Sequence, residues 1–419
     1  VRDDIVAELA LRDPAILVGG CDRPNLTYRV RQRTDRLRQV VEVLERHRGE
    51  AGIVYCIRRA EVDQLAEALA RRGWRAVAYH AGLADAERKR AQDDFIAERA
   101  EVVVATVAFG MGIDRSDVRY VVHAGMPKSV EHYQQEAGRA GRDGLPAECV
   151  LLYSGADFGL WRSILMAERL PPPGALPKLR EMYDYCQSAA CRHRYLVEYF
   201  GQAYPAAACG ACDVCLGEIA AADPGGGLAR EILAGVQELG GRFGADYVAD
   251  VLRGAQTARI ARLRHDRLAG YGRLRPHSKA AVRSWISQLE GQGCLAREEG
   301  EYPILSLTAR GRDVLRGEDA VTLLRTVAPR APGPRPDPSP GSGAPEEALF
   351  QALRALRRTM AEERGIPPYL IFSDASLRAM ARARPTSEQA FLAVKGVGQR
   401  KLQELGPRFL ACIRQHEQA

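Results

Sequence analysis

The chain has 419 residues, a net charge of +7, and cations that are overwhelmingly arginine. That length accommodates roughly three domains, and an apolar content of 46% is enough for packed cores. No run of about 18 apolar residues occurs, and the chain opens on Arg2, Asp3 and Asp4, so neither a membrane span nor a signal peptide is expected. The arginine excess favours phosphate or carboxylate partners without deciding between them.

From residue 25 to 156 short strands alternate with helices, the pattern of a parallel sheet covered on both faces. The predicted strands are Gly52–Cys56, Ala76–Tyr79, Glu101–Ala105, Tyr120–His123 and Glu148–Tyr153, all short, nearly continuous apolar runs. Between the first two, Val62, Leu65, Ala66, Leu69 and Ala70 recur at helical spacing. Residues 157–221 read as helical and then cysteine-rich, and 227–326 as a compact unit with a β-hairpin around Cys294–Thr308. Residues 327–345, built of Pro, Gly, Ala, Ser and Arg, read as a disordered linker. A helical unit occupies 346–419, and residues 1–24 form a lead-in segment.

The densest chemical signal is Gln135-Glu136-Ala137-Gly138-Arg139-Ala140-Gly141-Arg142-Asp143-Gly144. Three apart on a helix, Arg139 and Arg142 share a face. A guanidinium fork suits phosphate oxygens and can stabilise charge during phosphoryl transfer. An ordinary salt-bridged helix end also fits the pair alone. Upstream, Thr106 and the glycines of Gly110-Met111-Gly112-Ile113-Asp114 follow a strand, where backbone amides and a hydroxyl suit a nucleotide phosphate or a nucleic-acid backbone. Both loops are expected at one edge of the sheet. His80, at the end of another strand, is either a hydrogen-bonded structural residue or a contact to nucleic acid.

Cys191, Cys209, Cys212 and Cys215 have the spacing of a closed tetrahedral thiolate site for Zn2+. Four ligands leave no open position, so the metal is expected to be structural. Disulfides are disfavoured in a reducing compartment, and an iron–sulfur cluster is the weaker metal alternative. Cys186 is left out because Cys191 opens the helix that carries Arg192 and Arg194.

In 227–326, Arg264-His265-Asp266-Arg267 precedes an amphipathic helix Ser278–Gln292 and two strands, the order of a winged helix. Tyr302 would lie near the hairpin tip, free to stack on a base or to pack on Pro303. In the last unit, Lys395-Gly396-Val397-Gly398-Gln399-Arg400-Lys401 is either a phosphate-holding turn or a plain helix–helix turn.

Together these motifs resemble the RecQ family of DNA helicases over nearly the whole chain and in the family's order. Asp22-Arg23-Pro24-Asn25 resembles the link between two RecA-like lobes, which implies that residues 1–24 are a remnant of the first lobe and its linker. Gly52–Arg59, Tyr79–Leu83, Thr106–Asp114 and Gln135–Gly144 resemble motifs of the second lobe. Ser116, Arg58 and Gln134 depart from the family's usual residues, at positions peripheral to the phosphate contacts. The resemblance implies an α/β RecA-like lobe, a helical zinc-binding subdomain, a winged helix and an all-α HRDC-like bundle.

It further implies ATP-dependent 3′-to-5′ DNA unwinding in repair and recombination by a cytoplasmic, nucleoid-associated protein. Arg142, Arg139 and Gln135 would act on ATP and Mg2+, with Gly110, Gly112 and Asp114 lining the nucleotide. Thr106, His80, Tyr302, Arg264, His265, Lys395 and Lys401 would meet single-stranded or forked DNA, and single-strand-binding or repair proteins are possible partners. Neither a G-x-x-x-x-G-K-[ST] run nor D-E-x-H occurs, so the chain is expected to be the C-terminal part of the motor, without ATP hydrolysis of its own. The competing expectation is a non-catalytic module that binds structured DNA.

Overall fold

A computed structural model describes residues 6–16, 18–107, 109, 115–167, 174–223, 225–298, 304–327 and 344–417. Most of the expected linker, and Tyr302, Gly110, Gly112 and Asp114, lie outside the described residues.

The first unit alternates β1 (Leu26–Gln32), α1 (Arg36–Arg46), β2 (Ala51–Tyr55), α2 (Arg59–Ala70), β3 (Ala76–Tyr79), α3 (Asp85–Ile96), β4 (Val102–Ala105), β5 (Val118–His123), α4 (Val130–Ala137) and β6 (Ala147–Tyr153). The six strands form one sheet in the order β1-β6-β5-β2-β4-β3, and every pairing is parallel. β4, β5 and β6 are buried throughout, as their unbroken apolar runs require. One face packs Ile53, Val103, Val121 and Leu151 against α4 and the helices that follow. The other packs Val54, Val104, Val122 and Val150 against α1 and α2.

β1 was not among the expected strands. Its sequence alternates, with Leu26, Tyr28 and Val30 buried and Arg29 and Arg31 directed to Glu218. An edge strand with one polar face lacks the continuous apolar run of its neighbours.

α5 (Gly155–Ala167), α6 (Ala175–Gln187) and α7 (Arg192–Tyr199) lead to the cysteine cluster and to β7 (Ile219–Ala221). The next unit contains α8 (Gly227–Glu238), α9 (Ala245–Leu252), α10 (Ala258–Leu263), α11 (Lys279–Gly291), the antiparallel hairpin β8–β9 (Leu295–Glu298, Ile304–Leu307), α12 (Ala309–Arg316) and β10 (Leu324–Thr326). Ser278 caps α11 by accepting from the Ala281 amide, and Trp285, Ile286 and Leu289 face the core. Helices followed by a two-stranded wing make this a winged helix. β10 pairs with β7, so the unit is tied back to the zinc-binding segment. At a second junction a Cβ on Gly291 would overlap the Tyr183 hydroxyl, so α11 approaches α6 only because residue 291 is glycine.

The last unit comprises α13 (Ala344–Arg364), α14 (Pro368–Ile371), α15 (Asp374–Ala383), α16 (Glu388–Leu392) and α17 (Gln399–Glu417) around Leu353, Phe372, Phe391 and Phe409. It rests on the first unit. Arg354 donates to the Gly49 carbonyl at 2.8 Å, and Arg357 pairs with Glu98. No helix among the described residues is long and apolar enough to cross a membrane.

Candidate functional site

α4 carries the Gln135–Gly144 string toward the start of β5. The helix stops at Ala137, and residues 138–143 continue as turns. Arg139 and Arg142 therefore do not share a helical face, contrary to the spacing argument. Helix continuation is prevented at Gly141, which has φ +56°, and by capture of the carbonyls at the helix end. Arg23 donates from Nη1 to Gly138 O (3.2 Å) and from Nη2 to Ala140 O (2.9 Å) and Gly141 O (2.8 Å). Asn25 Nδ2 donates to Gly141 O and Leu145 O, both at 2.9 Å. Below the loop, the Gly141 amide reaches Val118 O at 2.8 Å and Arg119 binds the Asp143 carboxylate at 2.6 Å. Arg142 and Gln135 are exposed on this framework, and Arg139 is half-buried.

Arg139 borders Tyr55, whose hydroxyl donates to Phe109 O at 3.0 Å. Burial pushes the Tyr55 phenol well above its ordinary range, against the nearby Arg139 charge. The Tyr55 ring stacks on His123, which bonds Glu136 of α4 at 2.8 Å. The turn after β4 and the arginine loop thus share one buried aromatic contact. Thr106 is half-exposed at that turn and its carbonyl accepts from the Phe109 amide. His80 is a correction: it is buried, with Nε2 on Asp63 (2.8 Å) and Nδ1 accepting from the Gly82 amide. Both ring nitrogens are thus engaged in holding its own loop.

The ligand atoms of Cys191, Cys209, Cys212 and Cys215 lie within 4.8 Å of one another. Four thiolates around Zn2+ would lie about 3.8 Å apart, given Zn–S bonds of about 2.3 Å, so the set fits with a small contraction. Burial raises the Cys212 thiol to about 11, opposed by backbone donation from Cys215. A divalent cation held by the four sulfurs would remove that conflict by binding the thiolate. The cluster is a structural zinc site. It is also joined to the sheet. Cys212 bridges Tyr28 of β1, the Asp213 amide donates to Tyr28 O at 3.0 Å, and Asp213 accepts from the Val30 amide at 2.8 Å. The same carboxylate pairs with fully buried Arg192.

In the winged helix Arg264 is exposed, as are Arg262, Arg267, Arg273 and Arg275. His265 is half-buried, its Nδ1 at 2.8 Å from the Tyr247 hydroxyl and its ring edge-on to Phe243. It packs the turn that presents its arginine neighbours. Lys395 is exposed. Lys401 is not: its ammonium donates to Ile371 O at 2.7 Å over the Phe372 ring, and burial lowers its pKa. The expectation that Lys401 meets a phosphate gives way to a structural role.

Asp22, Arg23 and Asn25 entered the sequence reading only as a link. Their polar side chains before an apolar strand were the available signal, but the partners lie more than 110 residues away in sequence.

A RecA-like lobe bearing an arginine loop, followed by a zinc-held platform and a winged helix, defines the motor and DNA-handling half of a helicase. Family models match in the same order: Helicase conserved C-terminal domain over residues 33–144, RecQ zinc-binding over 157–216, RQC domain over 227–332 and HRDC domain over 346–413. The ATP-dependent DNA helicase RecQ of Haemophilus influenzae is 37% identical over 99% of this chain and 68% of its own length. That of Bacillus subtilis is 37% identical over 98% and 68%. The RecQ-like DNA helicase BLM of Xenopus laevis is 28% identical over 100% of this chain and 33% of its own. The chain belongs to the RecQ family of ATP-dependent DNA helicases, and it spans about two thirds of the length of these bacterial relatives.

Proposed function

We propose that this chain supplies the second motor lobe and the DNA-handling modules of an ATP-driven helicase that unwinds 3′ to 5′ during DNA repair and recombination. The observation that carries this reading is the exposed Arg142 on a loop whose carbonyls and amides are held on every side. A guanidinium carried on a loop held in advance can meet the charge that develops on a transferring phosphoryl group. ATP with Mg2+, held between the two lobes, would supply the phosphoanhydride, and the lobes would close on it and reopen with each turnover. Arg142 contributes the finger on the terminal phosphate. Arg139, linked through Tyr55 to the turn after β4, couples that site to single-stranded DNA at Thr106. Exposed Gln135 would help organise the attacking water or the lobe contact, and Gly110, Gly112 and Asp114 are proposed as nucleotide contacts. The zinc site fixes β1 and the winged helix, whose hairpin, with Tyr302, separates the duplex. Single-strand-binding or repair proteins are the partners such an enzyme would meet.

The test is DNA-stimulated ATP turnover by this chain joined to a first RecA-like lobe. Arg142→Ala should lower kcat by about 10³-fold or more while single-strand affinity holds. Undiminished turnover would remove Arg142 from the site.

A further inference from the structure

Residues 19–25 are gripped from two directions. On one side, His193 Nδ1 lies 2.7 Å from Asp22 Oδ1, Gln202 Nε2 donates to Gly19 O, and Gln202 Oε1 accepts from the Cys21 amide, all from the zinc-binding segment. On the other side Arg23 and Asn25 supply five hydrogen bonds to the carbonyls of residues 138, 140, 141 and 145. Three of these carbonyls, those of residues 138, 140 and 141, lie in the turns just past the end of α4, and a continued helix would need Gly138 O for the amide of residue 142.

The Arg23 bond to Gly138 O, with the positive φ of Gly141, opposes continuation of α4 through residue 142. A further helical turn would swing residue 142 around the helix axis, so the five bonds help set the backbone from which Arg142 extends. The fit is tight: a Cβ on Gly141 would lie 2.5 Å from Asn25 Nδ2 and 2.8 Å from Leu145 O.

We propose that Arg23 and Asn25 are positioning residues for Arg142. They hold the arginine loop in its outward-presenting form and join it to the anchorage of the zinc-binding segment. This rests on the reading of Arg142 as the finger on the terminal phosphate. Arg23 and Asn25 themselves touch only backbone, so they act through geometry and leave the binding of nucleotide and DNA to other groups. Misplacing a reacting group by about 1 Å costs on the order of 10²-fold in rate, which sets the size of effect to expect.

The experiment is a double-substitution cycle in the intact helicase, first lobe included. Arg23→Gln alone should lower kcat of DNA-stimulated ATP hydrolysis by about 10- to 100-fold, with KM for ATP and single-strand affinity nearly unchanged. Arg23→Lys, which keeps the charge but loses the fork, should fall between it and the parent enzyme. Added to Arg142→Ala, Arg23→Gln should cost no more than about twofold further, because both remove one function. Asn25→Ala and Gly141→Ala repeat the cycle if Arg23→Gln does not fold. Undiminished kcat in Arg23→Gln and Asn25→Ala, or a fully multiplicative loss in the double variant, would overturn the positioning role and leave the finger assignment standing. Parental turnover in Arg142→Ala alone would instead overturn the finger assignment, and the positioning role with it.

Discussion

The Glu98 carboxylate, at the turn after α3, lies 2.7 Å from the Arg357 guanidinium of α13, with side chains 4% and 1% exposed. Arg358 and Arg354 approach the same carboxylate at 3.4 and 3.7 Å, and Arg354 reaches Asp117 at 3.9 Å. Asp117 is itself held well below the ordinary carboxylate range: burial opposes its ionisation, but Arg115, Arg357 and Arg354 outweigh it. The HRDC-like unit is therefore docked on the lobe through buried charge, where a loose tether alone would leave it free to roam.

Removing one partner of a buried pair costs about 3–5 kcal/mol, because the other charge is left buried and uncompensated. Glu98→Gln should thus weaken the dock without touching the helices of the last unit, whereas Arg357 also bonds Phe372 O and Asp374 within that unit. Hydrogen exchange on this chain should show faster exchange around residues 98–102 and along the docked face of α13. Unaltered protection in Glu98→Gln would show that the ion pair contributes nothing to docking.

His47 gives the first unit a pH dependence of known sign. Its ring lies 2.7 Å from Glu50 and 3.0 Å from Glu148. Burial works against the charged ring, but hydrogen bonds to Glu148 and Glu50 outweigh it and raise its pKa. A raised histidine stabilises fully below its unfolded value of about 6.5 and loses that contribution as pH climbs through the folded value. His47→Gln should therefore lower Tm more at about pH 6 than at about pH 9. Glu148 and Glu50 are shifted the other way: burial opposes their ionisation, yet His47, with Arg46 and Arg29 for Glu148, holds both below the ordinary range. Their contribution is lost as pH falls through those depressed values. Equal losses of Tm at both pH values would show that the His47 charge is irrelevant.

Zinc removal should reach the motor sheet. Because Cys212 bridges Tyr28 and Asp213 accepts from the Val30 amide, a collapsed cluster leaves the β1 edge without its cover. Chelation, or Cys212→Ser, should lower Tm and deprotect the Tyr28 and Val30 amides, while those of β2 and β4 stay slow. Exchange at Tyr28 and Val30 that ignores zinc would confine the metal to the platform of the winged helix.

How far the sequence could be read depended on the range of the interaction. β2, β4, β5 and β6 were visible within a residue or two because strands buried on both faces write short apolar runs. The cysteine spacing carried the metal site because the ligands are local. β1 was missed because Arg29 and Arg31 balance distant Glu218 and Glu148. The arginine string was recognised by type but drawn as helix, since nothing local reveals that Arg23 takes the Gly138, Ala140 and Gly141 carbonyls. For His80 and Lys401 the sequence left a structural and a nucleic-acid role open for a related reason: each is a polar residue whose partner closes over it only in the folded chain. The arginines of α13 drew no reading from the sequence, because their burial depends on Glu98 arriving from about 260 residues away.

The last prediction separates cations that face solvent from those that are already engaged. Arg264 and Arg267 are exposed in the turn after α10, beside Arg262 and near Arg273 and Arg275. Each phosphate contact contributes about 0.9 to the slope of log K against log salt on duplex DNA. Duplex binding by this chain, titrated over salt, should therefore lose up to about 1.8 in slope in Arg264→Ala/Arg267→Ala, with affinity falling similarly on unrelated sequences. Lys401→Ala should leave slope and affinity in place and act on stability, because it removes the donor to Ile371 O. The measurement reads both positions at once. A slope unchanged in the arginine double variant would move the DNA away from this face, and a slope lowered in Lys401→Ala would mean that its bond to Ile371 yields to a phosphate.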